Sequence, residues 1–298
     1  MFGNLSKMVP IVESMGVKLN CPLTGRYAFY NSPYPSHKEN ASVDIYPDDE
    51  FGGEAPSPVD GEVVLIRSVK APLGHGFTAS DHDTVVLIRN SENTETVTKL
   101  LHIDPILEVG DTVSVGDPVG TTLRSGYYGW GTSPHIHVDV RNPDDPIRAR
   151  GGYNLNMAEA PSPEPLEKIV GEVVHLQPEF AFIRLQRGGM GLAGTVNGEP
   201  AILDGGIPYY GWLGAHLREP PASGTVELTG VPIADITQSF KHSCKAECRK
   251  FQFTANKQPI MGISLTLWPS HSPLVKLYPS KIGKMDLALG DFVEVELD

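Results

Sequence analysis

Three observations predict that this 298-residue sequence folds as a mainly β protein of two domains. First, 31 Gly and 26 Pro punctuate many short Val/Ile/Thr/Tyr runs, the pattern of brief strands joined by tight turns rather than of long helices. Second, 40% hydrophobic and 20% charged residues are the proportions of a folded globular chain, and the length allows two packed cores. Third, residues 157–166, Met-Ala-Glu-Ala-Pro-Ser-Pro-Glu-Pro-Leu, read as an extended, semi-rigid linker. The expected layout is a lead-in helix over 1–20, a domain over 21–157, a linker over 158–167 and a second β-rich domain over 168–298.

Charge and cysteine content narrow the class. The net charge of −12 is carried by the first half, where residues 1–167 hold 23 acidic against 12 basic side chains, while 168–298 hold 13 against 12. A nucleic-acid binder would show a basic patch, so that class is disfavoured; an acidic face tolerates cations or a basic substrate. Three cysteines, Cys21, Cys244 and Cys248, are too few and too unevenly placed for a disulfide framework, which points to a reducing compartment. Met1 to Asn20 lacks the apolar run of a signal segment and no later stretch could span a membrane, so the chain is expected to be cytoplasmic, without membrane partners.

Taken in order, the apolar positions Leu5, Met8, Val9, Ile11, Val12, Met15 and Val17 predict a short helix over 5–17 that Pro10 would start or kink. From Cys21 the text Pro-Leu-Thr-Gly-Arg-Tyr-Ala-Phe-Tyr reads as a strand, followed by a Pro-rich turn from Asn31 to Ser36, then His37. Asp44 follows in another strand, Ala-Ser-Val-Asp-Ile-Tyr-Pro. Asp60-Gly61 signals a tight turn into a strand, and strands at 84–89 and 96–102 come next, the second ending in His102. Gly110-Asp111 and Gly116-Asp117 are turns around a short strand, and a glycine- and tyrosine-rich loop over 124–133 leads to Ser133-Pro134-His135-Ile136-His137-Val138-Asp139-Val140.

In an extended strand side chains alternate faces, so His135 and His137 share one face while Ile136, Val138 and Val140 turn to a core. Two imidazoles roughly 6–7 Å apart along a strand suit a metal site, one binding Zn2+ and the other acting on water beside it. The same pattern also fits two ordinary solvent-facing histidines.

The ordered set His37…Asp44-Ile45, Ala55-Pro56 through Asp60-Gly61-Glu62-Val63-Val64, Leu101-His102, Val109-Gly110-Asp111 through Val119-Gly120, and Ser133-Pro134-His135-Ile136-His137 with Arg141 resembles the lysostaphin-type, LytM-like metallopeptidases of family M23 over residues 21–141. The resemblance implies an antiparallel, barrel-like β catalytic domain of the duplicated hybrid motif type. It also implies one zinc ion per chain held by His37, Asp44 and His137, with His102 and His135 as catalytic groups beside the open coordination position. Three N/O ligands leave a place for water, zinc brings that water's pKa to about 7, and neighbouring imidazoles can take its proton or bond the developing oxyanion. The substrate class implied is a peptide or a peptidoglycan-like peptide.

This sequence departs from the family in separating His37 from Asp44 by six residues where three are usual. A longer loop still closes at small cost. Were His37 displaced, Glu39, Asp81 or His82 would be the substitutes. Tyr127, Tyr128 and Trp130 are candidates for a peptide-binding groove, although such loops also pack on themselves, and Tyr30 and Tyr34 lie where a phenol would assist an oxyanion. His102 could equally cap a turn, and Asp44 could end its strand by accepting from local amides.

The same half also resembles, less specifically, glucose-type IIA phosphocarrier domains through Pro58-Val59-Asp60-Gly61-Glu62, Gly74-His75-Gly76-Phe77 and Leu100-Leu101-His102. That resemblance implies a phosphoryl group on His102 assisted by His75, and gives Asp44, His135 and His137 no task. A catalytically inactive adaptor is the third reading. In the second half, strands are predicted at 169–176, 180–186, 192–197, 225–230, 260–267 and 291–297, forming a small barrel or sandwich. Cys244 and Cys248 are spaced for one helix face and a soft metal, but no second pair completes a zinc site.

Overall fold

The computed structural model describes residues 7–161 and 163–297. Nearly all regular structure is β with antiparallel ladders; among the described residues the α-helix is the single turn Pro35–Lys38. No helix among them is long and apolar enough to cross a membrane. The chain divides into two compact units, one of residues up to Tyr27 with Tyr34–Ala158, the other of Ala28–Pro33 with the chain from Glu159 onward.

The predicted lead-in helix is a β-hairpin instead, Met8–Ser14 against Val17–Pro22; residues 1–6 lie outside the described residues. Met15 (φ 52°) and Gly16 (φ 78°) form its two-residue turn, both in the left-handed region, where the strands' own twist is matched. The β-branched residues Val9, Ile11, Val12 and Val17 favour the extended chain, and Pro10 is taken up at an irregularity in the ladder. The apolar spacing of this segment suits either period, and the turn chemistry decides it.

The sheet that carries the site has seven strands in the order Thr112–Val113, Gly61–Lys70, His82–Asn90, Val97–Leu101, Ile136–Arg141, Val43–Tyr46, Arg26–Ala28. Ile136–Arg141 therefore has a neighbour on each side, and all six of its residues are buried. Asp60-Gly61 does not make a hairpin turn. A Cβ on Gly61 would run into the Arg89 carbonyl of the adjoining strand, so this glycine serves close backbone approach. A three-stranded sheet of Glu54–Pro56, Pro118–Thr122 and Ile103–Pro105 completes the unit together with the N-terminal hairpin and its partner Asn156–Met157.

The second unit exceeds the single small barrel expected. Its pairings close two six-stranded rings. One runs Ala193–Val196, Thr225–Leu228, Val231–Ser239, Ser243–Cys248, Trp212–His216, Glu199–Ile207 and back; the other runs Gln258–Leu265, Phe253–Ala255, Phe292–Leu297, Ile169–Leu176, Ala181–Leu185, Leu274–Pro279 and back. Glu199–Ile207 and Gln258–Leu265 pair with each other at Gly205 to Ile207, joining the rings around one apolar cluster.

Cys244 and Cys248 lie on a strand, not a helix, which sets them about 13 Å apart at the extended rise and excludes a shared metal. Burial pushes both thiols up to about 12. Tyr30 is also corrected: it belongs to this unit, its hydroxyl 3.2 Å from Ser243 Oγ and its ring over Gly214, where any Cβ would collide with it. Asp204, fully buried, accepts from the backbone amides of Phe29 (2.6 Å) and Tyr30 (3.3 Å) and lies 3.1 Å from His216 Nε2.

Candidate metal centre

His137 pairs directly across the ladder with Asp44, and this register puts the two side chains on one face. His37 arrives from the helical turn Pro35–Lys38. The six residues between His37 and Asp44 are folded tightly: Asn40 takes the left-handed conformation (φ 54°), its amide and that of Ala41 bond back to His37 and Ser36, and its side chain donates to the Leu155 carbonyl at 2.7 Å. The longer interval is thus a helical turn with a left-handed exit rather than a slack loop.

The result is a small triangle. His37 Nε2, Asp44 Oδ1 and His137 Nδ1 lie 3.0–3.1 Å from one another, all three residues buried. Protons cannot account for every side of it. His137 Nε2 faces the Asp139 carboxylate at 2.8 Å and the Ser36 hydroxyl at 3.5 Å, and within the triangle each ring nitrogen offers either a proton or a lone pair, never both. With Asp44 ionised, every placement of the ring protons leaves two like atoms in contact, either two N–H groups 3.1 Å apart or a lone pair against the carboxylate oxygen at 3.0–3.1 Å. A cation between them removes the repulsion. Zinc bonds of 2.0–2.2 Å in tetrahedral array would set ligand atoms about 3.3–3.5 Å apart, close to the spacing seen. Asp44 Oδ2, the other oxygen, is buried without a hydrogen-bond partner. Burial alone would push the Asp44 carboxyl up, but His135, His37 and the contact with His137 outweigh it and hold it well below the usual range.

Asp139 is itself supported. Lys99 Nζ lies 2.5 Å and Arg141 Nη1 3.0 Å from its Oδ2, all three side chains fully buried. Burial opposes ionisation of Asp139, and His137 and Lys99 reverse it, holding the carboxyl below its ordinary value. The sequence reading names Arg141 only within the M23-like motif set and gives Asp139 and Lys99 no role. The alternation that pairs His135 with His137 continues to Asp139 and Arg141, so the same period of two, run four residues further, finds both.

Around the triangle stand the other two histidines. His135 Nε2 is 3.6 Å from Asp44 Oδ2; its Nδ1 lies 2.9 Å from the Ser133 carbonyl, an acceptor, so Nδ1 carries the proton and Nε2 a lone pair. Burial, only partly offset by Asp44, pushes His135 down to about 4, which keeps it neutral at pH 7 and able to accept a proton. The His102 ring lies 5.2 Å from that of His135 and 6.2 Å from that of His137. Tyr128 packs between them, 4.9 Å from His135 and 5.0 Å from His102, with its hydroxyl on the His135 carbonyl.

The remaining candidates separate. Tyr127 is exposed, its hydroxyl donating to the Lys70 carbonyl, and Trp130 is half-buried in the same loop. The Tyr34 ring meets His137 edge-on at 4.8 Å, and burial and then Asp139 push its phenol up to about 12. The substitutes for His37 stand elsewhere: Glu39 pairs with Arg150, and Asp81 and His82 form an exposed pair of their own. His75 is exposed.

Comparison with family models matches residues 19–157 to the N-terminal domain of a domain of unknown function, DUF8155, and residues 169–298 to its C-terminal domain. Curated proteins give no match. Among solved structures, a mutant catalytic domain of the prophage-encoded M23 protein EnpA from Enterococcus faecalis is similar at 24% identity and a TM-score of 0.26, covering 38% of this chain and 72% of that one. The solution structure of lysostaphin is similar at 13% identity and a TM-score of 0.29, covering 94% and 98%.

Proposed function

We propose that this chain, which carries the N-terminal and the C-terminal domain of the DUF8155 family, is a zinc-dependent peptidase that hydrolyses amide bonds in a peptide or peptidoglycan-like substrate. The observation that carries the proposal is the convergence of His37 Nε2, Asp44 Oδ1 and His137 Nδ1 in one buried triangle whose three contacts ring protons cannot all satisfy. The M23-like order of motifs in residues 21–141 supports the same reading. Zinc in such a site supplies the Lewis acidity that lets water attack an amide at neutral pH.

The chain's own residues divide the remaining tasks. His37, Asp44 and His137 bind the ion, and Asp139 fixes His137 in the tautomer that ligates through Nδ1. His135, neutral and with Nε2 free of its own proton, accepts a proton from attacking water and returns it to the leaving amine. His102 presents a second imidazole on the same side, 13% exposed at its side chain, its Nε2 placed to accept a hydrogen bond from the attacking water. Tyr127, exposed, and Trp130, half-buried, would offer the peptide chain aromatic contact from the loop that leads to His135. No side-chain nucleophile is needed.

A phosphocarrier role for His102 and His75 leaves the buried triangle without purpose, and an inert adaptor has no physical reason to keep three mutually touching ligand atoms buried together. The test is hydrolysis of a peptide library that includes cell-wall cross-bridge peptides, by zinc-loaded protein with and without chelator. Chelator-sensitive cleavage, lost in His135→Ala, is the expected result. No cleavage of any member by a protein holding one zinc would overturn the peptidase reading.

A further inference from the structure

Asp83 lies outside every motif that marks the site, yet it is buried and bonds one of the site's histidines through both of its oxygens. It stands on His82–Asn90, beside the end of Val97–Leu101, where His102 leaves the ladder. One of its oxygens, Oδ2, is 2.6 Å from His102 Nδ1 and accepts the Ser125 hydroxyl at 2.6 Å; the other, Oδ1, accepts the backbone amide of His102 at 2.9 Å and that of Thr84 at 2.7 Å. His102 is gripped twice by a single carboxylate.

The grip answers two physical needs. His102 has φ 67°, the left-handed region that a residue with a Cβ occupies only when its surroundings hold it there, and Asp83 Oδ1 anchors its amide. A carboxylate can only accept, so the imidazole proton facing it is on Nδ1, and in the neutral ring Nε2 is then the nitrogen able to accept. The edge-on rings of Tyr128 and His135 prevent the imidazole from turning over to exchange its nitrogens.

We infer that Asp83, with Ser125 holding its carboxylate, is a positioning residue that locks His102 in the Nδ1–H tautomer and aims its Nε2 lone pair into the reaction space. This rests on the reading of His102 as part of a peptidase site, but the tautomer itself is independent of that reading. Asp83 touches no substrate in this account; it acts through His102.

The test is long-range 1H–15N correlation spectroscopy on the full chain with 15N-labelled histidine and bound zinc, His102→Ala assigning the resonances. Wild type should show His102 with Nδ1 protonated and Nε2 unprotonated, and Ser125→Ala should retain that pattern. Asp83→Asn, whose amide can turn a donor toward the ring, should shift His102 to the Nε2–H form or a mixture, at unchanged zinc content. If the peptidase reading holds, the same variant should lose roughly a hundredfold in kcat with little change in KM, the size expected when a positioned imidazole is misoriented. An Nε2–H tautomer in wild type overturns the inference whether or not Asp83→Asn folds, as does an unchanged tautomer in folded Asp83→Asn. A wild type with the Nδ1–H form but no hydrolysis would leave the lock standing and remove the peptidase reading instead.

Discussion

Asp44 in the first unit and Asp204 in the second are both fully buried carboxylates set against imidazoles in β cores, and each leaves one oxygen without a hydrogen bond. The orphaned oxygen therefore does not distinguish them. What does is the proton count on the other oxygen. Asp204 Oδ2 receives two backbone N–H groups and lies against His216 Nε2, donors enough to satisfy it. Asp44 Oδ1 receives no backbone amide among the described residues and meets His37 Nε2 and His137 Nδ1 at 3.0–3.1 Å, two ring nitrogens that also touch each other, so their protons cannot satisfy all three contacts. A polar knot that holds a chain segment in a core is rich in donors; a knot short of donors is a place for a cation.

Variants sharpen that contrast, beginning with the largest effect. His137→Ala or Asp44→Ala should weaken zinc binding by at least about a thousandfold in a chelator competition, because each removes one of three ligands. His135→Ala should keep the zinc while kcat falls about 10²–10⁴-fold, the range for losing a general base. Equal metal loss in His135 and His137 variants would contradict the division of roles.

Asp139→Asn comes next, with about 10–100-fold weaker zinc binding by the same titration, since the partner that fixes the His137 tautomer is neutralised. Asp204→Ala should leave zinc affinity unchanged within twofold and lower stability by about 1–3 kcal/mol in denaturant unfolding, the cost of stranded buried donors. The smallest effect expected is on the acid limb of stability. His102 outweighs burial to hold the Asp83 carboxyl below its ordinary value, so its stabilisation is complete above the unfolded carboxylate's pKa of about 4 and drains as pH falls through the lower folded value. Asp83→Asn should flatten that limb, read as melting temperature against pH from about 5 to 2.

Much of this was legible in the sequence, for identifiable reasons. Histidines at i and i+2 on a β-branched strand declare their shared face, and the structure gathers His37, Asp44 and His137 despite the long interval between the first two. The hairpin at Met8–Pro22 was hidden because its apolar residues fit both periods, and only the positive φ at Met15 and Gly16 resolves them. Asp83 was illegible because its partner lies nineteen residues away, just past the end of the next strand, and no spacing rule joins them. The double ring of the second unit was equally hidden: closure depends on pairings such as Ala193–Val196 with Thr225–Leu228, which local patterning does not specify.

The most direct test of the central claim is anomalous diffraction at the zinc edge from crystals of protein incubated with zinc, comparing wild type with Asp44→Ala. One peak is expected in wild type, about 2.0–2.2 Å from His37 Nε2, Asp44 Oδ1 and His137 Nδ1, and absent in the variant. No peak among these three atoms in a folded, zinc-saturated wild type would contradict the account.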